Sequence, residues 1–315
     1  MNAIYSILRE YGQRTKGLSR EGKIILICTI FLGIGQGIIG LLLNLFLYQQ
    51  GYKQDFIGVV TFLTAFSSTI FAIPLAYAGR KFSYSRGLAL ALLFLGFGNL
   101  LMVLLPFRAI ILLISFIGGI FLSWGAIALA PLMTSTSKRE ERDFLFSVQS
   151  GLAILTSALG NYLGGLFPAE VEKLAPGIST NPYRWSLLPG IVCILLSSVF
   201  FLLLPVKFSF KQIREEAFRW DKEEKKRVFF VCIPNFLIGL GAGFLIPFFN
   251  LFFKLEHHTS DETLGMIFAV TSLFTGTGSL LVPLFSRHFG RIPVILTTQG
   301  IAIILLFPIG FSHIF

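Results

Sequence analysis

The stretch Gly33-Ile34-Gly35-Gln36-Gly37, followed after six residues by Asn44-Leu45-Phe46, occurs twice in this chain. The second copy reads Gly239-Leu240-Gly241-Ala242-Gly243 and, six residues on, Asn250-Leu251-Phe252. The offset is 206 residues and it persists. Asp55-Phe56-Ile57-Gly58 returns as Glu262-Thr263-Leu264-Gly265, and Arg80-Lys81-Phe82-Ser83 as Arg287-His288-Phe289-Gly290, each with a drift of one residue. Unrelated apolar helices do not keep step in this way. The chain therefore contains a duplicated unit, and a long repeat constrains fold and mechanism together.

Composition places both copies in a membrane. Of the 315 residues, 54% are hydrophobic and 13% charged, against roughly 25% charged in a soluble domain. Crossing the hydrocarbon core takes about 20 apolar residues of helix. Nine blocks qualify: 24–48, 56–78, 87–105, 109–133, 144–167, 185–206, 228–253, 263–285 and 292–312. Unpaired backbone is not tolerated in lipid, so the expected fold is an all-α polytopic membrane protein. The first block is too long for the apolar part of a cleavable signal peptide.

The net charge of +10 is explained by topology and not by nucleic acid. Lys and Arg number 21 in the segments 1–23, 79–86, 134–143, 207–227 and 286–291, and five in the alternate loops. That bias predicts a cytoplasmic N-terminus in the plasma (cell or inner) membrane. With nine spans the C-terminus is expected outside. The basic segments suit anionic lipid. No carboxylate lies well inside a block, and the four His fall in loops or at the last helix end. A charge at mid-membrane costs about 2.5–3.5 kcal/mol on insertion scales, so it marks function where it is kept; these blocks keep none. Cys28, Cys193 and Cys232 sit in apolar blocks without metal-ligand spacing. Neither a metal nor a cofactor is expected.

Six blocks separate the two copies. An even number means that both enter the membrane in the same direction, as a parallel repeat about an axis along the membrane normal. The expected organisation is a six-helix bundle over 1–206, a charged cytoplasmic linker over 207–227, and three helices of a second bundle over 228–315.

The short basic loops that follow the second block of each copy carry a resemblance. The first reads Gly79-Arg80-Lys81-Phe82-Ser83-Tyr84-Ser85-Arg86 and the second Ser286-Arg287-His288-Phe289-Gly290-Arg291. They resemble the loop motif of the major facilitator superfamily, which has an aspartate where Gly79 and Ser286 stand here. The resemblance covers the whole chain and implies a secondary transporter working by alternating access. It implies that Arg80, Lys81, Arg86, Arg287 and Arg291 belong to cytoplasmic gate loops that lack the usual carboxylate. It implies a small-molecule substrate and a coupling ion, proton or sodium, as partners. The family's second bundle has six helices, so the chain reads as ending after the ninth, and a fragment without activity of its own is the alternative expectation. In the fifth block, Gly160-Asn161-Tyr162-Leu163-Gly164-Gly165 is similar to an antiporter element with Asn161 in place of proline.

Helical spacing then selects side chains. Gly33, Gly37, Gly40 and Asn44 fall on one face, with Gln36 beside them. Small residues at this spacing let helices approach closely. A buried amide without a partner costs roughly 1–3 kcal/mol, so the amides need partners or a solute. Gln36 is expected to face substrate. Asn44 and Asn250, symmetry mates, are expected at the outer entrance or in an interhelical bond. Trp124, Asn161 and Asn235 complete the candidate pathway. An uncharged interior and 35 phenylalanines fit a neutral, apolar or amphipathic solute. A membrane-embedded enzyme would need an acid–base constellation. Only His257-His258 beside Glu256, Asp261 and Glu262 comes near one, and it reads as a solvated loop.

Overall fold

The computed structural model describes residues 17–78, 83–137, 141–174, 181–204 and 221–311, with some side chains inside the later helices left out. Helix covers all nine apolar blocks within those residues. The first copy comprises α1 (Arg20–Gln49), α2 (Gln54–Ala78), α3 (Tyr84–Leu104), α4 (Arg108–Thr136), α5 (Arg142–Leu174), the short α6 (Pro182–Ser186) and α7 (Leu188–Leu202). The second comprises α8 (Lys222–Leu245), a 3-10 turn (Ile246–Phe248), α9 (Phe249–Leu255), α10 (Asp261–Phe289) and α11 (Arg291–Phe311). Seven helices among the described residues are long and apolar enough to cross a membrane, and Ile292–Leu306 is a shorter apolar one. The linker expected over 207–227 lies largely outside the described residues. Its last part is already the first turn of α8.

Local chemistry explains the starts and breaks. Ser19 caps α1 by accepting the Gly22 N–H at 3.2 Å, and Ser260 caps α10 by accepting that of Thr263. Each satisfies one of the orphan donors that a helix start leaves. Pro74, Pro131 and Pro234 ride inside continuous helices, whereas at Pro247 the helix gives way to the 3-10 turn. Proline has no N–H to give, so a regular ladder cannot pass through unchanged.

The bundle has two ends. One carries Arg20 and the connections at 83 and 137; it is called the Arg20 end. The other carries the connections at 50–53, 105–107 and 256–260 and is called the Gly51 end. α1 packs on α5 and α7, α2 on α4, α3 on α4 and α7, and α5 on α10. Buried hydroxyls tie the first copy together: Ser197 donates to the Cys28 carbonyl at 3.0 Å and Ser198 to that of Ala89 at 2.6 Å. In lipid such bonds and close packing replace the hydrophobic drive that folds soluble bundles.

The glycine stripe on α1 is a packing device over part of its length. A Cβ added at Gly37 would meet the Ser157 carbonyl oxygen at 2.3 Å, and one at Gly33 the Thr156 hydroxyl at 1.9 Å. Gly40 meets nothing within 4 Å. The mates Gly239, Gly241 and Gly243 on α8 also meet nothing within 4 Å among the described residues.

Candidate functional site

A cavity of about 490 Å³ lies where α1, α2, α3, α4 and α5 face the 3-10 turn, α9 and α10. It gathers four of the side chains expected in the pathway: Gln36, Asn44, Asn161 and Asn250. Gly40 opens onto it, as its bare surface requires. Among the described residues none that lines it is charged. Phe94, Leu122 and Phe268 supply apolar wall.

Asn44 and Asn250 join the two copies symmetrically. Asn44 Nδ2 donates to the Pro247 carbonyl at 2.6 Å, and Asn250 Nδ2 donates to the Leu41 carbonyl at 2.8 Å. Pro247 stands three residues before Asn250, and Leu41 three before Asn44. Each amide thus bonds the position in the other copy that its own mate stands above. The break at Pro247 helps. In an unbroken helix the Leu251 N–H would claim the Pro247 carbonyl; here Asn250 Oδ1 accepts that N–H at 2.9 Å. One side chain therefore reaches across with its nitrogen while its oxygen relieves the acceptor that Asn44 uses. Each amide makes an interhelical bond, and both also line the cavity.

The same region has further contacts between the copies. Asn161 Nδ2 donates to Ser272 Oγ at 3.1 Å. Near the Gly51 end, Tyr183 of the first copy donates to Asp261 Oδ1 at 2.9 Å, an oxygen that Lys254 Nζ, within the second copy, also reaches at 2.6 Å. Gly165 and Gly265 touch backbone to backbone: a Cβ on either would lie 2.7 Å from the other's Cα. By contrast every described side chain of α8 except Ala242 is exposed. The copies therefore meet along α5–α10 and at the Gly51 end of the cavity.

Trp124 lies elsewhere. Its indole packs on Gly87, where a Cβ would sit 2.3 Å from Nε1, in a groove shared with Leu75, Arg86 and Phe121. It is buried between α3 and α4 and does not line the cavity, because α4 turns its 114–122 face inward and carries position 124 aside. Asn235 is exposed on α8 and also lies outside the cavity lining. Of the gate-loop residues, Arg86 sits in the first turn of α3. Arg80 and Lys81 lie outside the described residues. Arg287 falls in the last turn of α10 and Arg291 opens α11, with neither side chain described.

The sequence reading missed Asn99, Tyr183, Lys254 and Ser272. Asn99 had a signal, since it is an amide inside an apolar block. It lines the cavity and donates to the Leu95 carbonyl at 2.8 Å. Tyr183, Lys254 and Ser272 had none. Among the described residues no cluster of His, Cys, Asp or Glu could hold a metal ion.

The family model described as Major Facilitator Superfamily matches residues 25–315. No match is found among curated proteins. That family match spans most of the sequence, including both copies of the repeat and the cavity between them, and the chain belongs to the major facilitator superfamily of secondary transporters as a multi-pass membrane protein.

Proposed function

We propose that this chain carries a small neutral solute, apolar or amphipathic, through alternating access at the cavity between its repeats. The reciprocal Asn44–Asn250 pair is the observation that carries the reading. Two symmetric bonds tie the copies at one end of an uncharged cavity. Each is worth about 0.6–1.7 kcal/mol, enough to bias one state yet weak enough to break as the copies rock apart. The unpaired-charge cost inside a membrane argues for a neutral solute, because nothing in the lining compensates an ion.

In this reading residues 1–206 and 228–315 are the moving bodies and 207–227 the linker between them. The Lys and Arg bias puts the Arg20 end in the cytoplasm of a plasma-membrane protein. The Gly51 end then faces outward and is the closed one. Arg80, Lys81, Arg86, Arg287 and Arg291 serve the cytoplasmic gate. A proton or sodium ion supplies the coupling, and no covalent catalysis is involved.

The test uses the chain reconstituted in liposomes and a screen of neutral radiolabelled solutes for counterflow. Flux of at least one is expected, and none across the screen would remove the reading. A second measurement probes the clasp. With Cys232→Ser as background and Gly40→Cys as reporter, Asn44→Leu and Asn250→Leu should each speed labelling from the Gly51 side by roughly three- to twentyfold. Unchanged rates in both would show that the amides hold nothing shut.

A further inference from the structure

A second hollow lies apart from the cavity, toward the Arg20 end of the first bundle. It is a groove of about 340 Å³ between Leu75 of α2, Ser83, Arg86 and Leu90 of α3, and Phe121 and Trp124 of α4. Phe121 stacks face to face on Phe94 of the cavity wall, with centroids 4.4 Å apart, so the ring pair stands between the two hollows. Three features of the groove point the same way. Trp124 is 8% exposed, and its buried Nε1 has no hydrogen-bond partner among the described residues. An indole N–H can only donate, and buried donors rarely go without an acceptor. Arg86 is exposed, the ion pairs among the described residues leave it out, and the lining holds no acid to meet it. Finally, α3 begins here with no acid in its first turn and no side-chain bond from its cap residue Ser83. A helix start carries N–H groups without intrahelical partners and the positive end of the dipole. One cation, one unmatched donor and a helix start thus converge beside an apolar wall, of which Leu90 is 51% exposed.

We propose that this groove holds the phosphodiester of one anionic phospholipid, with an acyl chain lying along Leu75, Leu90 and Phe121. Arg86 meets a phosphate oxygen as a charge-assisted donor, and the first turn of α3 adds its dipole. The indole rests on Gly87, where no side chain stops it from sliding. A small outward shift brings the Trp124 N–H to the acceptor it lacks. A free phosphate ester would use the same donors but leave the apolar wall bare. A zwitterionic lipid would bring an ammonium group that finds no carboxylate in the lining. The site is separate from the transport cavity and does not depend on what that cavity carries.

The test is native mass spectrometry of the full chain in detergent micelles, titrated with dioleoyl phosphatidylglycerol or dioleoyl phosphatidylcholine. One phosphatidylglycerol per chain should be retained about fivefold more tightly than phosphatidylcholine. Arg86→Gln should weaken that binding roughly three- to tenfold. Trp124→Phe, which keeps an aromatic ring and loses the N–H, should weaken it about three- to fivefold. Arg108→Gln, at the Gly51 end, should match the parent. A second measurement needs no change in the groove. In phosphatidylcholine nanodiscs, the Trp124 indole N–H resonance is assigned by substituting Trp185 and Trp220 with Phe. It should move downfield when phosphatidylglycerol is included, as the proton gains an acceptor. Equal retention of the two lipids, parent affinity in either Arg86→Gln or Trp124→Phe, or an indole resonance that stays in place would each overturn the inference. Displacement of the lipid by glycerophosphoglycerol at the lipid's own concentration would assign the groove to a free phosphate ester and remove the lipid as its occupant.

Discussion

Gly165→Ala should drive the two copies apart at the Gly51 end. The added Cβ would lie 2.5 Å from the Asp261 carbonyl oxygen, 2.7 Å from Gly265 Cα and 3.0 Å from Gly265 N. All three are backbone atoms, so no rotamer change relieves the clash and one helix must move. Overpacking of this kind costs about 1–3 kcal/mol, which is roughly a five- to 150-fold change in population. The nearest atoms all belong to α10, so the strain falls on the contact between copies and the first bundle keeps its own packing. Spin labels at Gln54 and Glu256, both exposed at that end beside a shared groove, should show a longer, broader distance distribution. Counterflow should fall as closure at that end becomes unfavourable. Gly40→Ala, with nothing within 4 Å, is the control. A folded Gly165→Ala protein with the parent's distance distribution would rule out this contact as the closing surface.

Gly160→Val should do something different and worse. A Cβ there would sit 2.3 Å from the Ile34 carbonyl oxygen and 3.0 Å from Ile34 Cα. Gly33 and Gly37 of α1 press on α5 from the other side of the same crossing. Helices that touch backbone to backbone gain dispersion and weak polar contacts that no larger residue can replace. Pushing α1 off α5 would also draw Asn44 away from Pro247, since Asn44 rides two turns along the same helix. A cost of about 3 kcal/mol or more is expected, and it falls on the fold of the first bundle. The temperature at which half of the monodisperse protein is lost should drop by roughly 6–12 °C. A variant with the parent's midpoint would mean that α1 and α5 have slack at this crossing.

These two glycines lie on neighbouring turns of α5, about 140° apart around the helix, and helical spacing separates their faces without saying what each face meets. Gly160 meets α1 of its own bundle; Gly165 meets α10 of the other copy. The stripe on α1 shows the same thing. Gly33, Gly37 and Gly40 share a face by periodicity, yet the first two are filled by α5 and the third opens on the cavity. Asn44 and Asn250 were legible as a matched pair, because the repeat placed them in register. Their partners were not, since Pro247 and Leu41 act through backbone carbonyls that every residue has. Trp124 was misplaced for a related reason. An aromatic residue mid-span marks depth along a helix, but its direction depends on how α4 is rotated against α3.

The amino-acid sequence by itself determined the helical membrane class, the parallel repeat and the uncharged interior. These follow from composition, from 3.6-residue periodicity and from the parity of the spans, all of which are properties of the chain taken in order. Only the tertiary structure decided which glycines touch and which backbone carbonyl each amide meets, Pro247 across 203 residues from Asn44 and Leu41 across 209 from Asn250. Those depend on helix rotation and on backbone acceptors, and neither leaves a mark in side-chain order.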